Sequence, residues 1–264
     1  MGKIVGRSNN PEFRLTTHRS FSDPFCPAYL PAMNHPPASR ARAGRKILAY
    51  ALPMFLFALL LGLGQLVKRP GGPFWLAAPE FWIYPLQTLL CAGLLIFFRR
   101  DYEFQALRRP MLVVAIALFV FLLWIAPQQF LHLSARREGF DPDIWATNPL
   151  FYWSTLILRF LRLVIVVPLL EEIFWRAFLL RYLISEDFAS VRIGTFSWFS
   201  FCVVTIGFAL SHSMADWPAA IVTGALYNLV AYRTRSLLSC VATHSLTNLV
   251  LGIWILSTRQ WGFW

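Results

Sequence analysis

Charge is the first thing this sequence lacks. Charged residues fill 14% of its 264 positions, where a soluble domain carries about 25%. A chain surfaced throughout for water is thereby excluded. Cysteine is sparse too. Cys26, Cys91, Cys202 and Cys240 are scattered with no C-x-x-C pair, which excludes a disulfide framework and a cysteine zinc cluster. Each reads as a small buried hydrophobe. H-E-x-x-H is absent, so the usual zinc-protease helix is missing. So is G-x-S-x-G, and Ser211, beside His212, has no second motif to make it a nucleophile. The N-terminus lacks the order of a signal peptide, and position 6 is not Ser or Thr, so Gly2 is no myristoylation site. There is no internal repeat.

What is present is apolar. Hydrophobic residues make up 57% of the chain and aromatics 16%, the composition of an integral membrane protein. The spans read as Ile47–Val67, Phe81–Phe98, Met111–Ala126, Phe151–Leu170, Leu169–Ile184, Thr195–His212, Trp217–Tyr232 and Leu237–Leu256. The fold class expected is therefore all-α, a polytopic helical membrane protein with about eight transmembrane segments. Pro168 is expected to kink or break the chain between the fourth and fifth. The fourth also holds Arg159 and Arg162, which are read as snorkelling, binding a lipid headgroup or answering nearby carboxylates. Pro127–Pro149 reads as a loop with a short interfacial helix, its Glu138, Asp141 and Asp143 solvated.

Residues 1–46 read as a disordered basic tail ahead of a membrane domain at 47–264. The tail carries Lys3, Arg7, Arg14, Arg19, Arg40, Arg42, Arg45 and Lys46 against Glu12 and Asp23. Met33, just before the basic cluster, is a second candidate start. Arg99, Arg100, Arg108 and Arg109 follow in the loop after the second span, on the same side of the membrane if both intervening segments cross. That places the N-terminus in the cytoplasm of a multi-pass protein, read as one of a bacterial inner membrane. The basic charge is read as orientation and attraction to anionic lipid. Nucleic acid is not an expected partner, since no stacking or base-reading motif accompanies the charge.

Against this apolar background three polar islands stand out: Glu171-Glu172-x-x-x-Arg176, Phe208-x-x-x-His212 and His244-x-x-x-Asn248. A charge at the bilayer centre costs at least ~2.5–3.5 kcal/mol, so such residues face a protein interior or a wet cavity. On a helix Glu172 and Arg176 share a face, as do His244 and Asn248. Glu171 points about 100° away from Glu172, which leaves one carboxylate neutralised and the other free. The plain reading is a structural ion-pair patch, with each histidine a helix–helix contact. The joint occurrence of two Glu, two His, Arg and Asn is what an acid–base site requires.

These three motifs, in this order and on separate helices, resemble those of the CAAX-protease and bacteriocin-processing family. Its members are intramembrane endopeptidases related to the prenyl-protein-processing enzyme Rce1. The resemblance covers roughly Phe151–Leu256 and marks a protease-like core at about 151–256. The closing sequence and size also resemble the branch associated with exosortase sorting systems. The resemblance implies peptide-bond hydrolysis by activated water: Glu171 as general base, His212 holding the water, His244 and Asn248 at the oxyanion, and Glu172 with Arg176 holding the geometry. Arg176 could instead receive a substrate carboxylate. The partners implied are a membrane-associated protein or peptide substrate and the bilayer. Whether that substrate is prenylated stays open. Zinc also stays open as a cofactor, with Glu171, His212 and His244 its candidate ligands, although the reading leans to metal-independent chemistry. Two rivals remain: a non-catalytic scaffold or immunity protein of the same family, and a proton-coupled transporter. The confinement of every polar island to the second half argues against the transporter.

Overall fold

The computed structural model describes residues 37–137 and 139–264, and side chains from residue 44 onward. The expected disorder of the tail, with His18, His35, Cys26 and Met33, falls outside those residues, as does Glu138. Seven long helices are present among the described residues. They are α1 (Pro37–Val67), α2 (Glu80–Phe97), α3 (Pro110–Gln129), α4 (Pro149–Tyr182), α5 (Trp198–Leu210), α6 (Trp217–Thr234) and α7 (Leu237–Thr258). Five are long and apolar enough to cross a membrane: α1 from Gly44, α2, α3, α4 and α7. The protein is a polytopic helical membrane protein. Its first helix starts at Pro37, ten residues ahead of the expected span, because the basic cluster continues the helix outward.

The eight expected segments become seven because the fourth and fifth are one helix of 34 residues. Pro168 does not break it. Two π-helical stretches, Leu161–Val166 and Ile173–Leu179, flank the α-helical Val167–Glu172 that carries Pro168 and both glutamates. A proline ring normally collides with the carbonyl four residues back, here that of Val164, which lies in the widened turn. The widened turn leaves room for the ring, and the helix continues past Pro168 to Tyr182. The start of α4 is set by Asn148, whose side chain accepts from the Phe151 N–H, with Pro149 in the first turn.

The two ends of the bundle are held by different contacts. At one end the α2–α3 loop is clamped against the starts of α1 and α7. Arg45 pairs with Asp101 (3.2 Å) and Lys46 with Glu103 (3.2 Å), Tyr102 donates to the Ala49 carbonyl, and Ser236 donates to the Gln105 and Ala106 carbonyls. The α4–α5 connection lies at this end too, since Phe188 packs on Tyr50 of α1. At the other end the loop after α3 folds over the helix tips. Phe140 stacks on Phe81, Arg136 pairs with Asp216 (2.7 Å) and Arg259 with Asp143 (3.1 Å). That loop holds a single 3₁₀ turn, Pro142–Trp145, and its acids are not simply solvated: Asp141 caps the turn and Asp143 is ion-paired.

Arg159 and Arg162 are 3% and 7% exposed, so neither reaches lipid headgroups. Arg162 donates to the Gln87 side chain (2.7 Å), which in turn donates to the Phe57 carbonyl (2.7 Å). Arg159 lies among the rings of Tyr84, Phe140 and Trp264, with Nε and Nη1 enclosed and unpartnered. Neither is ion-paired to the glutamates among the described residues. The aromatic faces of α2 and the far-end loop answer these cations instead.

Candidate active site

Glu172 is the anchor of the polar cluster. It is fully buried, and its Oε1 accepts from Arg176 Nη1 (3.0 Å) and faces His244 Nδ1 (2.9 Å). Arg176, also fully buried, reaches the Gly224 carbonyl and lies over the rings of Phe208 and Tyr227. Gly224 also lets α6 lie close on α5, for a side chain there would press on Phe208 and on the Thr205 backbone at 3.3 Å. Three helices, α4, α6 and α7, are thereby tied through the Glu172–Arg176 pair. Arg176 Nη1 is engaged by Glu172, while its Nε is enclosed without a hydrogen-bond partner.

Glu171, one position earlier, turns away from this pair as the helical offset requires. It is 6% exposed and lines a cavity of about 150 Å³, large enough to hold water. Its Oε2 is enclosed without a hydrogen-bond partner. His212, His244 and Asn248 line the same cavity, together with Trp124, Thr223 and Tyr227. The structure thus brings all six expected site residues to one place: four around the cavity, and Glu172 with Arg176 immediately behind His244.

The hydrogen bonds fix the faces of the two histidines. His212 Nδ1 lies 2.8 Å from the Phe208 carbonyl, an acceptor only, so Nδ1 carries the proton and a neutral ring keeps a lone pair on Nε2. Ser211 donates to that same carbonyl (2.7 Å) rather than acting on its own. His244 turns Nδ1 to the Glu172 carboxylate, which leaves Nε2 for other contacts. No three His, Cys, Asp or Glu side chains among the described residues gather closely enough to hold a metal ion. Glu171, His212 and His244 therefore do not fit a three-ligand zinc site as they stand, and no step below passes through one.

Asn248 is held by a device the sequence conceals. Val167 N–H reaches back five residues to the Arg162 carbonyl. In that π register the Leu163 carbonyl would accept from residue 168, which is Pro168 and has no N–H. The orphaned carbonyl receives Asn248 Nδ2 instead, at 2.9 Å. This fixes the amide's orientation and leaves its second N–H available. Trp124, Thr223 and Tyr227 went unsuspected in the sequence. Trp124 donates to Thr223 Oγ1 (3.0 Å), and Tyr227 stacks near His244. Each is an ordinary residue of an apolar helix, with no local signal to mark it.

The model of the type II CAAX prenyl endopeptidase Rce1-like family matches residues 153–250, which hold all three motifs. Those residues are similar to the Rce1-like family, a family of CAAX endopeptidases. The match is to the family and not to a branch within it. No curated protein and no solved structure matches the chain.

Proposed function

We propose that this protein is an intramembrane endopeptidase that hydrolyses a peptide bond of a membrane-associated protein or peptide. One observation carries the reading. An unpartnered carboxylate oxygen of Glu171 and the His212 ring, its Nδ1 held by the Phe208 carbonyl, share a cavity inside a membrane domain. Buried carboxylates without partners are costly and are retained where they do chemistry.

In this reading a water in the cavity donates one hydrogen bond to His212 Nε2 and gives its other proton to Glu171 as it attacks the peptide carbonyl. The oxyanion that forms takes the second N–H of Asn248. It also takes Nε2–H of His244 when that ring is an imidazolium, its Nδ1–H held by Glu172. Glu171 then passes its proton to the leaving amine, so the atoms and charges balance without a covalent enzyme intermediate. Glu172 and Arg176 touch no reacting atom and act as positioning residues.

The test uses purified protein in proteoliposomes with a library of lipid-anchored peptides, the products read by mass spectrometry. The wild type is expected to release defined fragments and Glu171→Gln none. Equal fragments from both, or none from a folded wild type, would refute the proposal.

A further inference from the structure

One hydroxyl of the cavity has no acceptor in the protein. Six threonines of the helices are buried among the described residues. Thr88, Thr234, Thr243 and Thr247 each donate to the carbonyl four residues back, at 2.7–3.0 Å, a common habit of threonine inside a helix. Thr205 and Thr223 do not. Thr205 accepts from Asn228 Nδ2 (3.1 Å) and lies off the cavity. Thr223, 2% exposed, lines the cavity, and its Oγ1 accepts from Trp124 Nε1 (3.0 Å). Indole is a donor only, so the Thr223 proton cannot go back to Trp124. None of the described residues accepts it, neither the Ala219 carbonyl four residues back nor Glu171, whose Oε2 is unpartnered. Its acceptor comes from outside the chain.

Helix register says where that donor stands. α6 and α7 run antiparallel, joined by Arg235 and Ser236. Tyr227 lies seven residues before the end of α6 and His244 seven into α7, and their rings meet at 5.1 Å. Thr223 and Asn248 are each one turn further on. Both are eleven residues from those same helix ends, or about 16 Å at 1.5 Å per residue. Both line the cavity, so the Thr223 O–H and the second N–H of Asn248 belong to one level of it, on adjacent helices. Trp124, which holds the hydroxyl, packs its ring 5.5 Å from that of His212. It comes from α3, outside the matched residues 153–250.

We propose that Thr223 is a further catalytic residue, a third donor to the oxyanion beside Asn248 and His244, and that Trp124 is its positioning residue. This role rests on the hydrolase reading above. The attacking water is held by acceptors, Glu171 and His212 Nε2, and a donor turned on it would engage the lone pair with which it attacks. Beside Asn248 the same O–H meets the charge that develops on the carbonyl oxygen, where a donor fixed in advance does most. Released from Trp124, the hydroxyl has the Ala219 carbonyl as an alternative, the bond that its four counterparts make.

The test measures kcat and KM in proteoliposomes on a peptide that the wild type cleaves. Thr223→Val keeps the shape and removes the hydroxyl. Its kcat should fall about 10²-fold with KM within about twofold, and Thr223→Ser should recover most of the loss. Trp124→Phe keeps a ring beside His212 and removes the N–H. Its kcat should fall roughly tenfold in the wild-type chain and no further in a Thr223→Val chain, whereas a merely structural Trp124 would cost the same in both. Thr223→Ala takes the place of Thr223→Val if that variant does not accumulate, and Trp124→Phe alone decides if neither does. Unchanged kcat, a change confined to KM, or no recovery in Thr223→Ser overturns the proposal while an inactive Glu171→Gln leaves the hydrolase reading standing. No cleavage by the folded wild type, or equal cleavage by Glu171→Gln, sinks both.

Discussion

Asn248 and Pro168 are 80 residues apart and do not touch through any bond of their own. The structure nonetheless makes them energetically coupled. The Leu163 carbonyl lacks a helical donor because position 168 is proline, and Asn248 Nδ2 supplies the missing hydrogen bond at 2.9 Å. Truncating Asn248→Ala leaves a carbonyl inside the bundle unsatisfied, a loss of about 1–3 kcal/mol. For a domain of this size each kcal/mol moves Tm by about 2–4 °C, so the midpoint should fall by roughly 2–12 °C. In a Pro168→Ala background residue 168 has its own N–H to offer the π turn, and the same truncation should cost less than about half as much. The interaction energy of the cycle is then expected within ~0.5–3 kcal/mol. Thermal unfolding of the four proteins in one detergent, followed by tryptophan fluorescence, measures it. Equal losses from Asn248→Ala in both backgrounds would refute the hydrogen-bond accounting, whatever the protein's activity.

Other outcomes follow from the same contacts. Glu172→Gln removes the charge that Arg176 and His244 share in a fully buried site; breaking a buried pair costs about 3–5 kcal/mol, so the variant should melt far below the wild type or fail to accumulate. Glu171→Gln, whose Oε2 makes no hydrogen bond, should stay within about 1 kcal/mol of the wild type in the same melt. A reversed order would show the two carboxylates to be misassigned. Arg159→Met replaces an unpaired buried cation by an apolar side chain of similar length and should leave Tm unchanged or raised. A large fall would mean that an anion answers Arg159. Cleavage, once a substrate is in hand, should survive a strong zinc chelator, since no three candidate ligands gather among the described residues; loss restored by stoichiometric zinc would reverse the metal-independent reading.

The site was legible where the background was silent. Glu171, Glu172, Arg176, His212, His244 and Asn248 interrupt helices that otherwise hold few ionisable groups, and the i, i+4 spacing gave Glu172–Arg176 its observed pairing. The turn of Glu171 away from that pair was legible for the same geometric reason. What was hidden depends on tertiary context. Pro168 reads as a break because proline breaks an α-helix; the sequence does not announce a π turn, and so neither the single 34-residue helix nor the Leu163–Asn248 bond could be foreseen. Arg159 and Arg162 were open to snorkelling, to a lipid headgroup or to the carboxylates, but Arg162 turns to Gln87 and Arg159 to the aromatic residues of α2 and the far loop. Trp124 and Tyr227 line the cavity only because α3 and α6 pack there, which no periodicity of their own segments encodes.

The measurement closest to the central claim is a comparison of protein termini in cells carrying the wild type and Glu171→Gln at equal membrane levels. The substitution keeps the shape of the side chain and removes the base. The account predicts that a defined set of cleaved termini disappears in the variant while the corresponding intact precursors accumulate. Identical termini in the two strains, with a phenotype on deleting the whole protein, would contradict it and leave the carboxylates as a structural patch of a non-catalytic scaffold.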